Sequence, residues 1–367
     1  MKVDLKEFDF EGFFSAPFNV YGAMSLYVSP MKSDLKRFLD PQQNPLFQSN
    51  DDLKYFTAYQ NYTAVGRILV HIHRSSNLQF KQNRAYFGYF DCINDDAVAR
   101  KLLNAAEEWA RAKNMSELIG NFNMTAMQQI GVVTSGFQNQ PYSDQVYNPS
   151  HIVDLLVKNS YQQEFPMKTF EIDVDKAKDL LKHSPPPETM DGLRFESVKK
   201  SNLSQKLEHA RLLLNDGFSE NPMFVPITKE EFDFQAKDLM WVLDPKISFI
   251  AYHLDKPVGV IVCIPDINPS LQTIKSQLTF WSIWKFLFER FKKPTRAVII
   301  YYSVAKAFHG KSIMKHLLKN TINGLAERGY KSVGVTWIAD INQASLKQMD
   351  RLGARVLHTT HLYKKTL

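Results

Sequence analysis

Hydrophobic positions along the chain follow two spacings, one typical of strands and one typical of helices, in an order that occurs twice. In the first half, residues 63–74 and 84–93 are rich in β-branched and aromatic side chains, which predicts two strands joined by a polar turn. Residues 95–115 then place apolar side chains on one face at helical spacing, behind Asp95 or Asp96 as an N-cap. The first half therefore predicts antiparallel strands, a long helix and a further strand in SELIGNF.

The second half repeats this order. Residues 247–265 predict a hairpin, residues 297–305 a strand, and residues 311–330 a helix that ends at Gly329. A strand, a closing helix and a last strand follow. A strand that enters a long helix and continues into a neighbouring strand is a crossover unit, so each half predicts a mixed sheet flanked by helices. The predicted fold class is α/β, of the mixed α+β kind, with two such layers in tandem.

Three consecutive prolines lie near the midpoint of the chain, within residues 184–191. Proline breaks helices and stiffens a linker. At 367 residues, with 44% hydrophobic and 23% charged residues, the composition fits two globular domains. We therefore expect an N-terminal domain over residues 1–183, a linker over residues 184–191 and a C-terminal domain over residues 192–367.

Cysteine usage and the N-terminus narrow the class of protein. The two cysteines, Cys92 and Cys263, lie far apart and outside any metal-binding spacing, which predicts neither a disulfide framework nor a metal site. The N-terminal segment has acidic residues where a signal peptide needs an apolar core. No apolar run approaches the ~20 residues of a membrane-spanning helix. We therefore expect a cytoplasmic protein.

The net charge of +7 indicates an anionic partner, either a phosphate-rich co-substrate or an acidic membrane surface. Nucleic acid is the least favoured partner, because the sequence contains no recognisable nucleic-acid-binding module. The alternative is a slightly basic protein without any such partner.

Residues 278–293 combine aromatic and basic side chains in one stretch. As a helix, residues 280–291 place most apolar side chains, Trp281, Trp284 and Phe288 among them, within an arc of roughly 160°. The lysines lie on the opposite side. Such a helix fits the surface of an anionic membrane, as a peripheral contact on the inner face, or the wall of a site for a hydrophobic substrate. The alternative is that this face packs on the core of its own domain.

A glycine turn separates the strand at 297–305 from the helix that follows it. Gly310 lies in this turn, between Lys306 and Lys311. Free backbone N–H groups at a helix start, together with the helix dipole, attract phosphate. The turn therefore predicts a phosphate-binding loop, and a simple turn without a ligand is the alternative.

These residues resemble the GNAT superfamily of CoA-dependent N-acyltransferases, whose loop follows a strand in the pattern V-x-P-x-x-R-G-x-G-x-G. Downstream, WIADINQASLKQMDRLGA is similar to the family's strand and N-x-x-A-x-x-x-Y-x-x-x-G-F helix. Four positions depart from this pattern. His309 stands for the arginine, Ser312 and Met314 stand for glycines, and Met349 stands for the tyrosine that often protonates the leaving thiolate.

Short segments along the whole chain, among them PFNVY, FVPITKEEF and PDIN, resemble a bacterial subgroup built from two GNAT domains in tandem. Some members of this subgroup are bacterial ceramide synthases. The resemblance implies that the C-terminal domain carries the acyltransferase site. The N-terminal domain lacks the glycine loop, and Asp95 and Asp96 at its corresponding helix start would repel a diphosphate, so we expect it to be non-catalytic.

The resemblance also implies site residues. A backbone N–H near the end of the strand would bind the thioester carbonyl, and a carboxylate, Asp266 before Glu220 or Asp340, would take the proton of the amine. The alternative for each of these carboxylates is a role in a turn or a helix cap. Tyr301 or Tyr302 would replace Met349 as proton donor. His309 would contact phosphate or act as acid or base, or would be an exposed loop residue. The residues expected at the co-substrate are Ser303, Val304, Lys306, His309, Gly310, Lys311, Ser312 and Asn342.

The expected activity is transfer of an acyl group from acetyl-CoA, a longer acyl-CoA or a carrier-protein thioester to a long-chain or hydrophobic amine. Two alternatives stay open. One is a small-molecule N-acetyltransferase in which the aromatic helix is only structural. The other is a non-catalytic binding protein with the GNAT fold.

Overall fold

The computed structural model describes residues 2–22, 25–183, 190–237, 242–279, 284 and 294–367. The strands are β1 (Asp4–Glu7), β2 (Leu53–Gln60), β3 (Thr63–His71), β4 (Arg84–Cys92), β5 (Glu117–Gly120), β6 (Val132–Ser135), β7 (Gln162–Asp173), β8 (Leu193–Ser197), β9 (Phe249–His253), β10 (Lys256–Pro265), β11 (Arg296–Val304), β12 (Ser332–Ala339) and β13 (Arg355–Thr366). The helices are α1 (Phe10–Tyr21), α2 (Lys32–Phe38), α3 (Arg74–Phe80), α4 (Asp96–Ala112), α5 (His151–Lys158), α6 (Val174–His183), α7 (Leu203–Gly217), α8 (Lys229–Ala236), α9 (Asn268–Thr273), α10 (Ile313–Arg328) and α11 (Gln343–Arg351).

The predicted fold class is confirmed. Each half contains antiparallel strands, a long helix and a parallel strand, and the chain divides into two compact units that are discontinuous in sequence. Residues 184–189 of the expected linker lie outside the described residues, as does the expected helix 278–293 apart from its first two residues and Trp284. The domain boundaries expected from the sequence stay a prediction.

The first unit comprises Met1–Lys168, Pro269–Phe286 and His358–Leu367. Its strands pair in the order β1-β2-β3-β4-β5-β13, with β6 also beside β13. The pair β4–β5 is parallel, whereas the pairs from β1 to β4 are antiparallel. Alternate residues of a strand point to opposite faces of the sheet, and helices α1 and α4 each cover one of these faces.

The second unit comprises Thr169–Asn268 and Leu287–Leu357. Its strands pair in the order β12-β11-β10-β9-β8, and only β11–β12 is parallel. Helix α10 packs on one face, where its apolar residues recur every three or four positions and are buried. Helix α7 packs on β10 and β11. A Cβ on Gly217 would lie 2.0 Å from Oγ of Ser303, so this glycine permits the close approach of α7 to β11.

Candidate active site

The parallel strands β11 and β12 pair along only part of their lengths. The paired positions begin at Arg296, which lies opposite Ser332, and end at Ile299, which lies opposite Val335. Beyond these positions both strands continue without pairing to each other. On the other side of β11, its pairing with β10 shifts register between Val262 and Cys263 of β10. This shift marks a β-bulge at the level where the pairing of β11 with β12 ends. The two strands therefore separate from this bulge onward, which leaves a gap between their C-terminal parts.

The direction of the backbone groups identifies which amides face this gap. The N–H of Ala305 donates to the carbonyl of Val258 at 2.9 Å, so it points toward β10. Backbone groups alternate sides along a strand, which places the N–H groups of Tyr302 and Val304 on the side away from β10. These two amides can therefore bind carbonyl oxygens of an extended ligand in the gap.

The loop after β11 ends in a helix N-terminus with free amides. Gly310 has a φ of +78°, and no heavy atom lies within 4 Å of the position of a Cβ there. Ser312 adopts a left-handed conformation directly before α10 begins at Ile313. Within the described ranges, the backbone N–H groups of Gly310, Ser312, Ile313 and Met314 donate to no protein acceptor. This arrangement is a ready anion-binding site, because the helix dipole reinforces the unsatisfied donors.

The cationic side chains of the loop have contacts of their own. Lys306 forms an ion pair with Glu220 at 2.9 Å. The Nε2 of His309 donates to the carbonyl oxygen of Val304 at 3.0 Å, so this ring closes the loop onto the end of β11. The ammonium of Lys311 lies 5.1 Å from the ring centre of Phe308.

Tyr301 and Tyr302 point to opposite faces of β11. The ring of Tyr301 lies 6.3 Å from that of Phe232 in α8, on the face that α7 also covers. Tyr302 packs against the core cluster under α10 and α11, to which the buried Met349 also belongs. Its hydroxyl is buried and has no well-aligned hydrogen-bond partner among the residues that the structure describes. Burial raises the pKa of Tyr302 to about 12, and the nearby Ser345 side chain offsets this effect only in part.

The predicted base Asp266 lies at the other end of β11. Its backbone N–H donates to the carbonyl of Arg296, and its inaccessible carboxylate forms an ion pair with Arg296 at 3.2 Å. Tyr302 follows Arg296 by six positions of extended strand, which corresponds to about 20 Å. Asp266 therefore lies at the end of β11 opposite to the loop that contains Gly310, because β10 and β11 are antiparallel.

Two other predicted residues, Ser303 and Asn342, have identifiable local contacts. The hydroxyl of Ser303 donates to the carbonyl of Leu213 at 2.9 Å and holds α7 on β11. The side chain of Asn342 accepts the N–H of Ser345 and caps α11. Trp284 is 64% exposed, while Trp281 and Phe288 lie outside the described residues.

The structure adds contacts that sequence reasoning missed. Thr336 of β12 donates its hydroxyl to the carbonyl of Ile300 at 3.3 Å, at the level where the strands separate. The carboxylate of Asp216, in the last turn of α7, accepts the backbone N–H of Lys306 at 2.7 Å. Lys306 follows Asp216 by 90 positions, so no local signal in the sequence indicated this contact.

The first unit contains a similar strand separation that its own chain fills. Strands β4 and β5 pair in parallel only as far as Phe87 and Gly120. Beyond that point, Oδ1 of Asn123 accepts the N–H of Tyr89 at 2.8 Å. At the start of α4, the Asp95 side chain accepts two of the helix N–H groups. The N–H groups at the strand end and at the helix start of the first unit therefore already donate to side chains of the protein.

The fold, the separated strands and the glycine turn before α10 can be compared with known families. Residues 214–354 match the family model described as Acetyltransferase (GNAT) family. Residues 214–354, most of which belong to the second unit, therefore form a GNAT domain.

Two curated relatives extend over nearly the whole chain. A protein named bacterial ceramide synthase from Caulobacter vibrioides is 24% identical over 93% of this chain and 90% of its own length. Protein YghO of Escherichia coli is 22% identical over 99% of this chain and 94% of its own length.

Solved structures show the same tandem fold. A tandem GNAT protein from the clavulanic acid biosynthesis pathway aligns with a TM-score of 0.58 at 12% identity, over 100% of this chain and 98% of that chain. A GCN5-related N-acetyltransferase from Sphaerobacter thermophilus aligns with a TM-score of 0.55 at 13% identity, over 99% and 95%.

No group of three or more His, Cys, Asp or Glu side chains among the described residues is arranged to hold a metal ion. No helix in that part of the chain combines the length and hydropathy needed to cross a membrane.

Proposed function

We propose that the second unit transfers an acyl group from a CoA thioester to the amino group of a hydrophobic, long-chain amine. The observation that carries this proposal is the gap between β11 and β12, which leads from the amides of Tyr302 and Val304 to the free N–H groups of the loop. An extended thioester with a diphosphate at one end matches both parts of this arrangement. A carrier-protein thioester has the same extended arm and is the second donor considered.

The donor would bind in three places. Its diphosphate would accept hydrogen bonds from the amides between Gly310 and Met314, near Lys306 and Lys311. Its pantetheine arm would lie along β11 and bond to Val304. Its thioester carbonyl would accept the N–H of Tyr302, which then stabilises the oxygen as negative charge develops on it.

Transfer removes two protons from the ammonium and returns one to the leaving sulfur. The ammonium loses a first proton to a base, the free amine attacks the thioester carbon, and the nitrogen loses its second proton as the bond from carbon to sulfur breaks. The thiolate takes up one proton to become free CoA, so one proton is released in total. Among the predicted bases, Glu220 is 85% exposed, Asp266 is inaccessible and Asp340 directly follows β12. The hydroxyl of Tyr302 would donate a hydrogen bond to the departing thiolate, in place of the tyrosine for which Met349 stands.

A hydrophobic acceptor is supported by two observations. The Caulobacter relative that covers most of the chain is named a ceramide synthase, and ceramide synthesis acylates a long-chain amine. The sequence of the segment 278–293, which lies between β10 and β11 along the chain, is rich in aromatic residues, and its described residue Trp284 is largely exposed. A small-molecule acetyltransferase remains the second candidate, because the family model is that of acetyltransferases.

Donor binding and product formation test this function. Calorimetry with CoA, acetyl-CoA and palmitoyl-CoA is expected to show binding of CoA and tighter binding of the long-chain thioester. Mass spectrometry of reactions with a long-chain base and with small polyamines is expected to find the acylated long-chain base. Tight binding of acetyl-CoA alone would favour the small-molecule enzyme, and the absence of any CoA binding would favour a non-catalytic protein.

We also propose that the segment 278–293 contacts an anionic membrane. Replacing Trp284 with Ser is expected to reduce sedimentation with phosphatidylglycerol vesicles and to leave the melting temperature unchanged. Leu254, which is 69% exposed in the turn between β9 and β10, provides the matched control, and its replacement with Ser should not affect sedimentation. A large drop in melting temperature in the Trp284 variant would instead indicate that this side chain packs on the core.

A further inference from the structure

Lys306, a predicted ligand of the donor phosphate, is held at two points by carboxylates. Its backbone N–H donates to Oδ2 of Asp216 at 2.7 Å, and its Nζ donates to Oε1 of Glu220 at 2.9 Å. Asp216 lies in the last turn of α7, and Glu220 lies just beyond the end of this helix. The backbone N–H and the ammonium of Lys306 could each donate a hydrogen bond to a phosphate, and both already donate to carboxylates of the protein.

The two carboxylates are held with different strength. Asp216 is part of a helix end that is fixed on β11, because Gly217 lies against Ser303 and Ser303 bonds to the carbonyl of Leu213. Asp216 accepts the backbone N–H of Lys306 and thereby fixes the start of the loop. The Glu220 side chain is 85% exposed and that of Lys306 is 39% exposed. An ion pair so accessible to water is weak and is readily exchanged for another anion.

We propose that Glu220 is an internal competitor for the donor's phosphate: it occupies the Lys306 ammonium in the free protein and is displaced when a polyphosphate enters the loop, while Asp216 stays in place as a positioning residue. This inference rests on the proposed function. The ammonium is attracted more strongly to a diphosphate, which carries at least two negative charges, than to a single carboxylate. Glu220 therefore favours donors that carry a diphosphate and disfavours small monoanions at the same loop.

The two carboxylates are expected to have opposite effects on CoA affinity. Glu220→Gln removes the competing charge and keeps the side-chain shape, so the Kd of CoA should fall about two- to fivefold, the range of a surface charge contact. Asp216→Ala removes the acceptor that holds the loop, so the Kd should rise. Calorimetry with CoA at 0.15 M salt measures both. A gain in affinity is the decisive result, because a merely structural role predicts only losses.

Two controls isolate the contact between Glu220 and Lys306. Glu230→Gln makes the same change in charge at an exposed position of α8, and it should leave the Kd unchanged because distant exposed charges are screened. In a Lys306→Met background, which removes the ammonium, Glu220→Gln should give no gain in affinity. Inorganic diphosphate, used as a competitor of CoA, should compete better in the Glu220→Gln variant than in the wild type.

Each possible outcome decides the proposal. If Glu220→Gln binds CoA no more tightly than the wild type does, the proposal for Glu220 is overturned. The proposed function is not affected by this result, because the wild type still binds CoA. An equal gain in Glu230→Gln assigns the effect to net charge and also overturns it. If neither the wild type nor Glu220→Gln binds CoA at millimolar concentration, the proposed function fails, and this inference fails with it.

Discussion

Replacement of Tyr302 by Phe tests whether its hydroxyl acts on the departing sulfur. The ring packs against the core under α10 and α11, and Phe keeps these contacts. Only the hydroxyl is lost. Because that hydroxyl is buried without a well-aligned partner in the described part of the chain, its removal leaves no new unsatisfied group. The variant is therefore expected to fold as the wild type does.

The raised pKa limits what this hydroxyl can contribute. At about 12, the pKa of Tyr302 lies above that of a free thiol, which is about 8.5, so complete proton transfer to the thiolate is uphill. The contribution is then a hydrogen bond to a charged sulfur, worth about 1.5–3 kcal/mol. We expect kcat to fall about 10- to 100-fold in Tyr302→Phe, with an unchanged KM for the donor.

The free energy of unfolding of Tyr302→Phe is not expected to fall with kcat. Removing a poorly satisfied buried hydroxyl is expected to stabilise the unit by up to about 1 kcal/mol, or to leave its stability unchanged. Release of free CoA, followed with a thiol reagent, gives kcat, and differential scanning calorimetry gives the melting temperature. Tyr301→Phe is the matched control, because its ring faces α8 on the other side of β11, and it should keep kcat.

A wild-type kcat in Tyr302→Phe would refute a role at the leaving group. A fall in kcat that is matched by a fall in melting temperature would indicate damage to the fold instead. The raised pKa also predicts that Tyr302 keeps its proton, so this residue should cause no decline in rate between pH 7 and pH 10.

The remaining predictions concern other parts of the chain. Burial lowers the pKa of His71 to about 3 and that of His73 to about 4. The contribution of these histidines to the free energy of unfolding of the first unit should therefore be fully present above about pH 6.5 and be lost as the pH decreases. The free energies of urea unfolding at pH 7.5 and pH 5.0 should differ by about 2 kcal/mol for each histidine. Gly310→Val places a branched side chain at a φ of +78°, so CoA affinity measured by calorimetry should fall about tenfold, while the open space around this position keeps the fold intact. Asn342→Ala removes the cap of α11 and should cost about 1 kcal/mol in thermal unfolding, whereas Asn342→Asp keeps it.

These three predictions have distinct contradicting results. Equal stability at pH 7.5 and pH 5.0 would mean that both histidines can accept protons in the folded state. Unchanged CoA affinity in Gly310→Val would remove this loop from the donor site. A loss of CoA affinity in Asn342→Asp, which keeps the cap, would assign this side chain a second role at the donor.

The turn between β11 and α10 could be predicted from the sequence because its signal is local. A strand, Gly310 and a helix follow one another directly, and the positive φ at Gly310 is a property of the residue itself. The same locality made the predictions of α4 and α10 accurate, since amphipathic spacing is read within one segment. Helices α1 and α7 were not among the expected elements, although both form part of the packing that surrounds the strands.

The surroundings of the candidate carboxylates could not be predicted from the sequence, because they depend on strand direction and on the packing of distant segments. Asp266 is next to β11 in the sheet, but the antiparallel pairing of β10 brings it to Arg296 and not to the loop. Glu220 and Asp216 reach Lys306 only because α7 ends on β11. These contacts join residues about 90 positions apart, so no window of sequence contains them.

The sequence by itself determined the strand and helix order around α4 and α10, the glycine turn before α10 and the resemblance to acyltransferases, because each is encoded by neighbouring residues. The tertiary structure decided where β11 and β12 separate, which face Tyr302 occupies and which carboxylates hold Lys306. It also revealed that Asn123 fills the corresponding gap in the first unit. These features depend on pairing and packing between distant segments, which the pattern of hydrophobic positions does not record.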